Sequence, residues 1–562
     1  GQNYLQRLYG PGTSQYDSKA DYINNETTRS HSYLSSNFLT YHHQFGDHSI
    51  TATGLYEVQS GTSMGFIGTA KSLSTYALGY YNLGLGNSQQ TSSSYSADAL
   101  VSYMARVQYN YKEKYFLTAS VRTDGSSHLI QKYSTFPSVG VSWNVANEDF
   151  LKDSKIFSDL KIRATYGQTG NQNVGAYSTI AQIGTAPGQA VGAQPAYYYN
   201  GGSPGNAGTG SVATPLGNGV STALKWETKT AYDIGVDMAF LKGRLTFTAD
   251  AYKNNVNNLL YAYPAPYYDG GGSYQRNIGS LSNNGVEFAL GGSPVVSRNF
   301  KWNTNVTFSI NRNKVTDLGG LDDQVVGSGN NTVNAILKVG QPLGEFYGYK
   351  FLGTWKTSEA SEAALYGMKP GDAKYLDVNG DHAYTAADYQ TLGNATPKFS
   401  YGFINDITYK AFTLSFMFQG QQGSQVFSQT LAYTWGGLGD QKNATTSEGV
   451  PENLWTPDHQ TNNPAWSSTS HNFNNSSRYV YNSSYAKLKN LSISYHVPAE
   501  LLKRISVNNL EIYVSGQNLF TITPYKGYDP EIDNAGNSIT QGQEFGVIPN
   551  PKSYTIGVRL GL

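Results

Sequence analysis

The stretch YDIGVDMAFLKGRLTFTADAY, residues 232–252, decides the fold. Apolar side chains occupy every second position from Tyr232 to Phe240, and the alternation resumes after a short turn at 241–244. A period of two residues indicates a β-strand with one apolar and one polar face. This segment is therefore predicted to be a hairpin of two strands.

The same alternation recurs along the rest of the chain, for example at 138–145, 160–166, 412–419 and 554–562. It fits two architectures, a soluble β-sandwich or propeller and a transmembrane barrel. Many of the predicted strands run about 10–13 residues, which is long for a soluble sheet and suits a tilted membrane crossing. Short turns also alternate with long polar connections, which favours an all-β transmembrane antiparallel β-barrel.

Composition excludes several other classes of protein. The chain carries 39 basic and 39 acidic residues, so it lacks the basic face that a nucleic-acid partner requires. It contains no Cys, which rules out disulfides and thiolate metal sites. No run of apolar residues is long enough for a transmembrane helix, whereas a barrel strand needs only one apolar face.

The connections predict the organisation of the barrel. Counting them gives about 15 strands, the last of which descends to the periplasm. Residues 1–30 are then the tail of an extracellular loop, and residues 31–562 form the C-terminal part of the barrel, whose first strand lies near 31–43. An odd number of strands cannot close a bacterial barrel, so we expect further strands upstream of Gly1 or on a second chain. Long extracellular loops are predicted at 60–98, 168–227, 313–397, 420–481 and 518–551.

Several segments together resemble one family. They are FPSVGVSWNVANEDFL (136–151), LKIRATYGQTGNQ (160–172), NNGVEFAL (283–290), VGQPLGEFYGYKFLGTW (339–355), YAKLKNLSISYHVP (485–498) and IYVSGQNLFTITPYKGYDPEI (512–532). In combination they resemble the SusC/RagA family of TonB-dependent outer-membrane transporters of Bacteroidetes. The resemblance extends from about residue 97 to the end of the chain.

The resemblance implies a barrel of about 22 strands in the outer membrane, occluded by an N-terminal plug that this chain does not contain. It also implies TonB-dependent import of an oligosaccharide or peptide, with no enzymatic step. The implied partners are a SusD-like surface lipoprotein, the TonB–ExbB–ExbD complex and the lipid of the membrane. A plugless or split channel, completed by a second chain, is the alternative.

One short segment has the spacing of a calcium loop. Oxygen-bearing side chains stand at positions 1, 3, 5 and 12 of the segment that begins at Asp377, which is the spacing of an EF-hand loop. The predicted ligands of a structural Ca²⁺ are Asp377, Asn379, Asp381, the carbonyl of Ala383, and Asp388. His382 stands where this loop normally has Gly, so a polar hairpin tip without metal is the alternative.

Tyrosine-rich loops are the candidate ligand contacts, because tyrosine offers a flat apolar ring and a hydroxyl group. The residues proposed are Tyr198, Tyr199, Tyr267 and Tyr268. Loop packing or the aromatic girdle at the membrane interface is the alternative explanation.

No catalytic residue is predicted. Gly61–Gly65 matches the nucleophile-elbow pattern around Ser63, but that motif needs a strand-to-helix turn, and here a surface loop is expected. His42 and His43 are adjacent in a predicted strand, so they point to opposite faces and cannot chelate one metal together.

Overall fold

A computed structural model of the chain describes most of its length, and almost all of its elements are β-strands. The described residues are 2–9, 22–180, 183–187, 197–199, 211–215, 223–264, 273–327, 334–436, 453–465, 474–502, 507–531 and 539–561.

Sixteen of the described strands form one large antiparallel sheet, in which each strand lies beside its neighbours in the chain. Numbered along the whole chain, they are β1 (Gln2–Tyr9), β2 (Tyr22–Phe45), β3 (His48–Leu73), β4 (Gly86–Tyr111), β5 (Tyr115–Ser126), β6 (Tyr133–Asn144), β7 (Phe157–Asn171), β11 (Glu227–Phe240), β12 (Leu245–Asn257), β15 (Ser280–Val296), β16 (Phe300–Asp317), β23 (Phe399–Tyr409), β24 (Phe412–Gln422), β27 (Tyr485–His496), β28 (Asn509–Ile522) and β30 (Ser553–Gly561).

Smaller sheets and short helices occupy the connections. The remaining strands are β8 (Ile183–Pro187), β9 (Tyr197–Tyr199), β10 (Ser211–Pro215), β13 (Leu260–Pro264), β14 (Ser273–Asn277), β17 (Asp323–Val326), β18 (Asn334–Lys338), β19 (Glu345–Tyr349), β20 (Phe351–Thr354), β21 (Ala373–Tyr375), β22 (Tyr389–Asn394), β25 (Gln425–Ser428), β26 (Val480–Asn482) and β29 (Gln543–Glu544). The helices are α1 (Ala360–Leu365), α2 (Gln429–Gly436) and α3 (Ala499–Leu502). Across the described part of the chain, no helix has both the length and the apolar character to cross a membrane.

The chain divides into two compact units. The first comprises Gly1–Val141, Thr165–Thr230 and Val256–Ile278, and the second comprises Ser142–Ala164, Ala231–Asn255 and Gly279–Leu562. The first unit contains the longest strands and an apolar cluster built from Leu129, Phe136, Val174, Leu224 and Trp226. The second unit contains the four-stranded sheet β17–β18–β19–β22 and the three described α-helices.

The N-terminal prediction needs two corrections. Residues 1–30 were expected to be a loop tail, but β1 pairs with β2 from Gln2↔Arg29 to Tyr9↔Tyr22. β2 begins at Tyr22 and not near residue 31. β1 therefore forms a ladder with the first residues of β2, and the large sheet has sixteen described strands where about 15 were predicted.

The predicted extracellular loop 60–98 consists mostly of strand, and its extracellular placement stays a prediction. β3 and β4 each have 26 residues, and they pair continuously as far as Leu73↔Gly86. A membrane crossing needs only about 9–11 residues, so more than half of this hairpin extends beyond a bilayer. Its polar Ser, Thr and Gln residues alternate poorly, so periodicity hid the strand.

The connection at 74–85 folds back over the end of this hairpin. Ile23 and Ala70 face each other in the β2–β3 ladder and are fully buried. Asn25 donates its amide N–H to the carbonyl of Tyr80, 3.0 Å away. A Cβ on Gly68 would lie 2.8 Å from a Leu83 methyl group, so the Leu83 side chain packs directly over this glycine.

The other predicted long loops carry local sheets. Segment 168–227 holds β8–β10, 313–397 holds six short strands and α1, and 420–481 holds β25, α2 and β26. These strands are 3–6 residues long, which is too short for periodicity to separate them from loop sequence. Their placement on the extracellular side stays a prediction.

The hairpin that opened the sequence analysis is confirmed. β11 and β12 are joined by a tight turn in which Leu241, Lys242 and Gly243 all have positive φ, at 53°, 59° and 80°. Such angles match the twist of a short hairpin connection. The two-residue connection of β2 to β3 at Gly46–Asp47 is likewise as short as predicted.

The large sheet has one apolar face and one polar face. In the last strand pair, Val558 lies opposite Ile512, and their side chains are 63% and 43% exposed. The next pair along the ladder is Arg559 with Glu511, joined by a hydrogen bond of 2.9 Å. Large apolar side chains that stay exposed on a regular sheet are the signature of a lipid-facing surface.

Candidate functional site

The polar face of the second unit carries a cluster of three carboxylates around one guanidinium group. Arg163 on β7 donates to Asp233 at 3.2 Å and to Asp237 at 3.0 Å, and it also pairs with Asp250 on β12. A Cβ on Gly235 would lie 2.5 Å from the guanidinium carbon, so glycine between the two aspartates lets Arg163 lie flat on the strand. The alternation predicted that the three aspartates lie on the polar face, but it did not predict that they share Arg163 as a partner.

The polar face of the first unit has a comparable network. Arg122 on β5 donates to Asp124 at 2.7 Å and to Ser102 at 2.8 Å, and it lies 3.5 Å from Glu57. Ser36 donates to Glu57 at 2.6 Å. Charge-assisted hydrogen bonds of this kind fix the side chains of a polar wall without any apolar core behind them.

Aromatic rings pack beneath the predicted calcium loop. Tyr384 lies 5.3 Å from Tyr375 and 5.1 Å from Tyr366, measured between ring centroids. Burial raises the pKa of the Tyr384 hydroxyl to about 12, so this phenol stays neutral at ordinary pH. Tyr366 also contacts the ring of His382 at 5.1 Å and donates its hydroxyl to Asp377 at 3.0 Å. The loop is therefore seated on a rigid aromatic base.

The loop itself is closed by its own backbone N–H groups. Asp377 accepts from Gly380 at 2.7 Å and from His382 at 3.1 Å, and Asp381 accepts from Ala383 at 2.8 Å. Burial alone would raise the pKa of Asp377, but these hydrogen bonds outweigh it and hold the pKa below its ordinary value. His382 has a φ of 59°, which explains why this loop position normally requires Gly.

Asp388, the last of the predicted calcium ligands, lies beside the start of the loop. Asp388 is fully buried, and its two oxygens accept from Val378 and Thr385, both at 2.9 Å. Within the described ranges, no three His, Cys, Asp or Glu side chains are grouped as metal ligands. Asp377, Asp381 and Asp388 each accept hydrogen bonds from backbone N–H groups of the loop, and calcium binding remains a prediction.

The tyrosine candidates are only partly described. Tyr198 and Tyr199 lie in β9, which pairs with β10. Tyr267 and Tyr268 lie outside the described residues. The strands that flank them, β13 and β14, pair from Leu260↔Asn277 to Pro264↔Ser273.

The minor candidates lie in regular strands. Ser63 pairs with Ser30 on β2 and Ser96 on β4, which corrects the expected surface loop and leaves no strand-to-helix turn around it. His42 bonds Thr51 at 3.0 Å, whereas His43 stacks between Tyr41 and Phe45. The two imidazoles therefore have separate partners, as their adjacent positions in a strand predicted.

Sequence reasoning missed a buried ionic network near the C-terminus. Lys487 on β27 donates to both oxygens of Asp529, at 2.8 and 3.0 Å, and also pairs with Glu531. Lys489 lies 3.0 Å from Glu531, and Asn550 donates to Asp529 at 3.2 Å. Two lysines two residues apart share one face of a strand, and that spacing was the available signal for acidic partners.

A family-wide comparison covers most of the chain. Residues 1–519 match the family described as "TonB dependent receptor-like, beta-barrel".

Related proteins cover almost the whole chain. TonB-dependent receptor P3 of Formosa agariphila is 35% identical over 542 residues, which are 94% of this chain and 52% of that protein. TonB-dependent receptor SusC of Bacteroides thetaiotaomicron is 27% identical over 479 residues, or 82% of this chain and 44% of that protein. The chain thus spans about half the length of the curated relatives it matches.

Solved structures share the fold. A structure of the RagAB peptide transporter superposes with a TM-score of 0.80 at 23% identity, covering 100% of this chain and 58% of that one. The RagAB peptide importer in its "closed-closed" state gives a TM-score of 0.81 at 22% identity, with the same coverage.

Proposed function

Because this chain belongs to the TonB-dependent receptor-like β-barrel family, we propose that it forms the barrel of a transporter that imports a nutrient ligand across the outer membrane. The protein is of the SusC/RagA type and is located in the bacterial outer membrane. The observation that carries the proposal is the sixteen-strand sheet, with an exposed apolar face and a polar face lined by ion pairs. An imported polar ligand needs such a polar wall, and lipid needs the apolar one.

The proposed ligand is an oligosaccharide or a peptide. RagAB, which shares the fold, is named as a peptide transporter, and SusC is named as a receptor of the same type. The charged side chains on the polar face suit a hydrated ligand that is too large to diffuse through a narrow pore.

Energy coupling is assigned to parts of the protein beyond this chain. The curated relatives are about twice as long as the matched region, which leaves room for a plug and a TonB box. The proposed partners are the TonB–ExbB–ExbD complex at the plug and a SusD-like lipoprotein at the extracellular end. The SusC relative and the fold shared with RagAB support the second partner.

No bond-making or bond-breaking step is proposed. The family is one of receptors and transporters, and Ser63 lies in a strand ladder beside two other serines. The ligand would be moved and released unchanged.

A structural calcium ion is proposed for the loop at Asp377–Asp388. Asp377, Asn379 and Asp381 occupy the first, third and fifth positions, and the buried carboxylate of Asp388 closes the loop. The ion would neutralise three carboxylates held within twelve residues and would stiffen the segment that rests on Tyr366. It would have no role in chemistry.

Purification of the native assembly tests this function. A tag on the full-length protein, mild solubilisation of outer membranes, and mass spectrometry should recover one chain that contains the plug, together with a SusD-like lipoprotein. Recovery of a separate chain that supplies the remaining strands, with no plug, would contradict the proposal and favour a split channel. An added Ser63→Ala variant should import ligand normally, whereas loss of a hydrolytic activity in that variant would indicate an enzyme.

A further inference from the structure

The hairpin β13–β14 presents an unusual combination of side chains on one face. Tyr261 lies directly opposite Arg276, and Tyr263 lies directly opposite Tyr274. Because side chains two residues apart in a strand point the same way, these four residues share one face of the hairpin. We call this group the tyrosine–arginine face.

The opposite face of the hairpin is fixed to the first unit. Leu260 packs against the apolar cluster of Leu129, Phe136, Val174, Leu224 and Trp226. The backbone N–H of Leu260 donates to Glu227 at 3.0 Å. Asn277 accepts from the N–H of Lys225 and donates to its carbonyl, both at 2.8 Å. The hairpin is thereby anchored by one face and leaves the tyrosine–arginine face on the other.

The guanidinium group of Arg276 is held by rings and not by a carboxylate. Its central carbon lies 5.1 Å from the centroid of the Tyr263 ring and 6.0 Å from that of Tyr274. The two rings meet edge to face, with centroids 5.8 Å apart. Arg276 is exposed, and the described residues supply no acidic partner for it. Ring contacts engage the flat face of a guanidinium group, so its N–H groups can still form hydrogen bonds in the plane of the group.

We propose that the tyrosine–arginine face binds an acidic sugar residue of the transported ligand, with Arg276 pairing to its carboxylate. A guanidinium group matches a planar carboxylate with two parallel hydrogen bonds. The tyrosine rings supply flat apolar surfaces, and their hydroxyls supply hydrogen-bond donors. This inference rests on the proposed function, because it names the class of ligand that the transporter takes.

An acidic oligosaccharide fits this surface better than a peptide does. Extended peptides commonly bind by adding a strand to an open sheet edge, where backbone groups give the affinity. The tyrosine–arginine face offers side chains instead, with two rings packed edge to face and one cation. That arrangement suits a ligand whose sugar rings lie flat and whose charge sits on the ring.

Binding of hexagalacturonate to the full-length protein in detergent, measured by calorimetry, tests the proposal. Arg276→Gln should weaken binding about 10- to 100-fold, as expected for loss of a hydrogen-bonded charged group. Tyr263→Leu should also weaken it, and Arg276→Lys should restore binding only partly, because a lysine lacks the planar fork. Lys242→Gln, which removes one positive charge from an exposed turn, is the matched control and should bind as the wild type does.

Two comparison ligands separate the outcomes. Maltohexaose, which is neutral, should bind more weakly than hexagalacturonate and should be indifferent to Arg276→Gln. Binding of hexaglutamate should not depend on both Arg276 and Tyr263. Absence of hexagalacturonate binding, equal binding by Arg276→Gln, or an equal dependence of hexaglutamate would overturn the inference. Any of these results would leave TonB-dependent uptake of another ligand intact, so the failure of this inference is distinct from the failure of the proposed function.

Discussion

Lys487 and Asp529 form a bidentate ion pair between a barrel strand and a distant loop: the ammonium nitrogen lies 2.8 and 3.0 Å from the two carboxylate oxygens. Both side chains are nearly inaccessible to solvent, at 2% and 7% exposure. Glu531 accepts from Lys487 and Lys489 and also from Tyr485 and Gln419. The loop that follows β28 is therefore fastened to β24 and β27 by charged hydrogen bonds.

Replacing Lys487 with methionine should release this loop. The substitution leaves Asp529 and Glu531 buried without their main cation, which typically costs about 3–5 kcal/mol. We expect faster proteolysis within 523–531. We also expect the folded protein, seen as a separate band in gel electrophoresis, to unfold at a lower temperature. Lys489→Met is the matched control, because Lys489 is 28% exposed and contacts Glu531 alone among the acidic groups of this network. Its effect should be about 1 kcal/mol or less, and an equal effect of the two variants would argue against a buried lock.

Acid should weaken the same attachment in a defined direction. Burial raises the pKa of Glu531, but hydrogen bonds from Lys487 and Lys489 outweigh it, so the folded pKa lies below the ordinary value of 4.5. A depressed pKa means that the stabilisation is complete above pH 4.5 and is lost as the pH falls through the folded pKa. Proteolysis within 523–531 should rise in that acid range in the wild type. The pH dependence should be much smaller in Lys487→Met, and an unchanged profile in that variant would refute the assignment to Glu531.

A charge on the apolar face should be costly. Val236 is predicted to face lipid, and its neighbour Asp237 bonds Arg163 on the polar face. Val236→Arg should lower the free energy of unfolding by about 2–4 kcal/mol if the site lies near the middle of the bilayer. Equilibrium refolding into phospholipid vesicles measures the change, with Val236→Leu as a control that adds no charge. A cost below that of the control would mean that the two faces of β11 are exchanged.

Calcium should bind the loop at Asp377–Asp388 weakly. Extracellular sites of this kind have dissociation constants of about 10⁻⁴ to 10⁻³ M. Terbium can replace calcium as a probe, because Tyr366 contacts Asp377 directly and lies close enough to sensitise terbium luminescence. Luminescence should saturate in that range, be displaced by calcium, and be lost in Asp381→Ala. Asp149→Ala, an exposed carboxylate elsewhere, should titrate as the wild type does, and an Asp381→Ala titration like that of the wild type would exclude the site.

Sequence predicted the large sheet because its strands are amphipathic over ten or more residues. The turn at Leu241–Gly243 lies where the alternation is interrupted. β11 also contacts Arg163 through the face that the alternation predicts to be polar. The extension of β3 and β4 beyond the bilayer was missed, since pairs such as Phe66↔Ser93 leave both side chains exposed and need no apolar alternation. Propensity and spacing carry little information where neither face is buried.

The candidate sites were predicted unevenly for a related reason. The spacing of Asp377, Asn379 and Asp381 is local, so the compact loop could be read from consecutive residues. The pairing of Lys487 with Asp529 joins residues 42 positions apart, and only folding brings them together. The tyrosine–arginine face also depends on register, because Arg276 meets Tyr263 across a hairpin.

Ligand uptake with and without TonB tests the transport function most directly. Cells that express the full-length protein should accumulate the fluorescently labelled native ligand in the periplasm, and deletion of either this protein or TonB should abolish accumulation. Equal accumulation in the absence of TonB would contradict energy-coupled import and would leave a passive channel as the explanation.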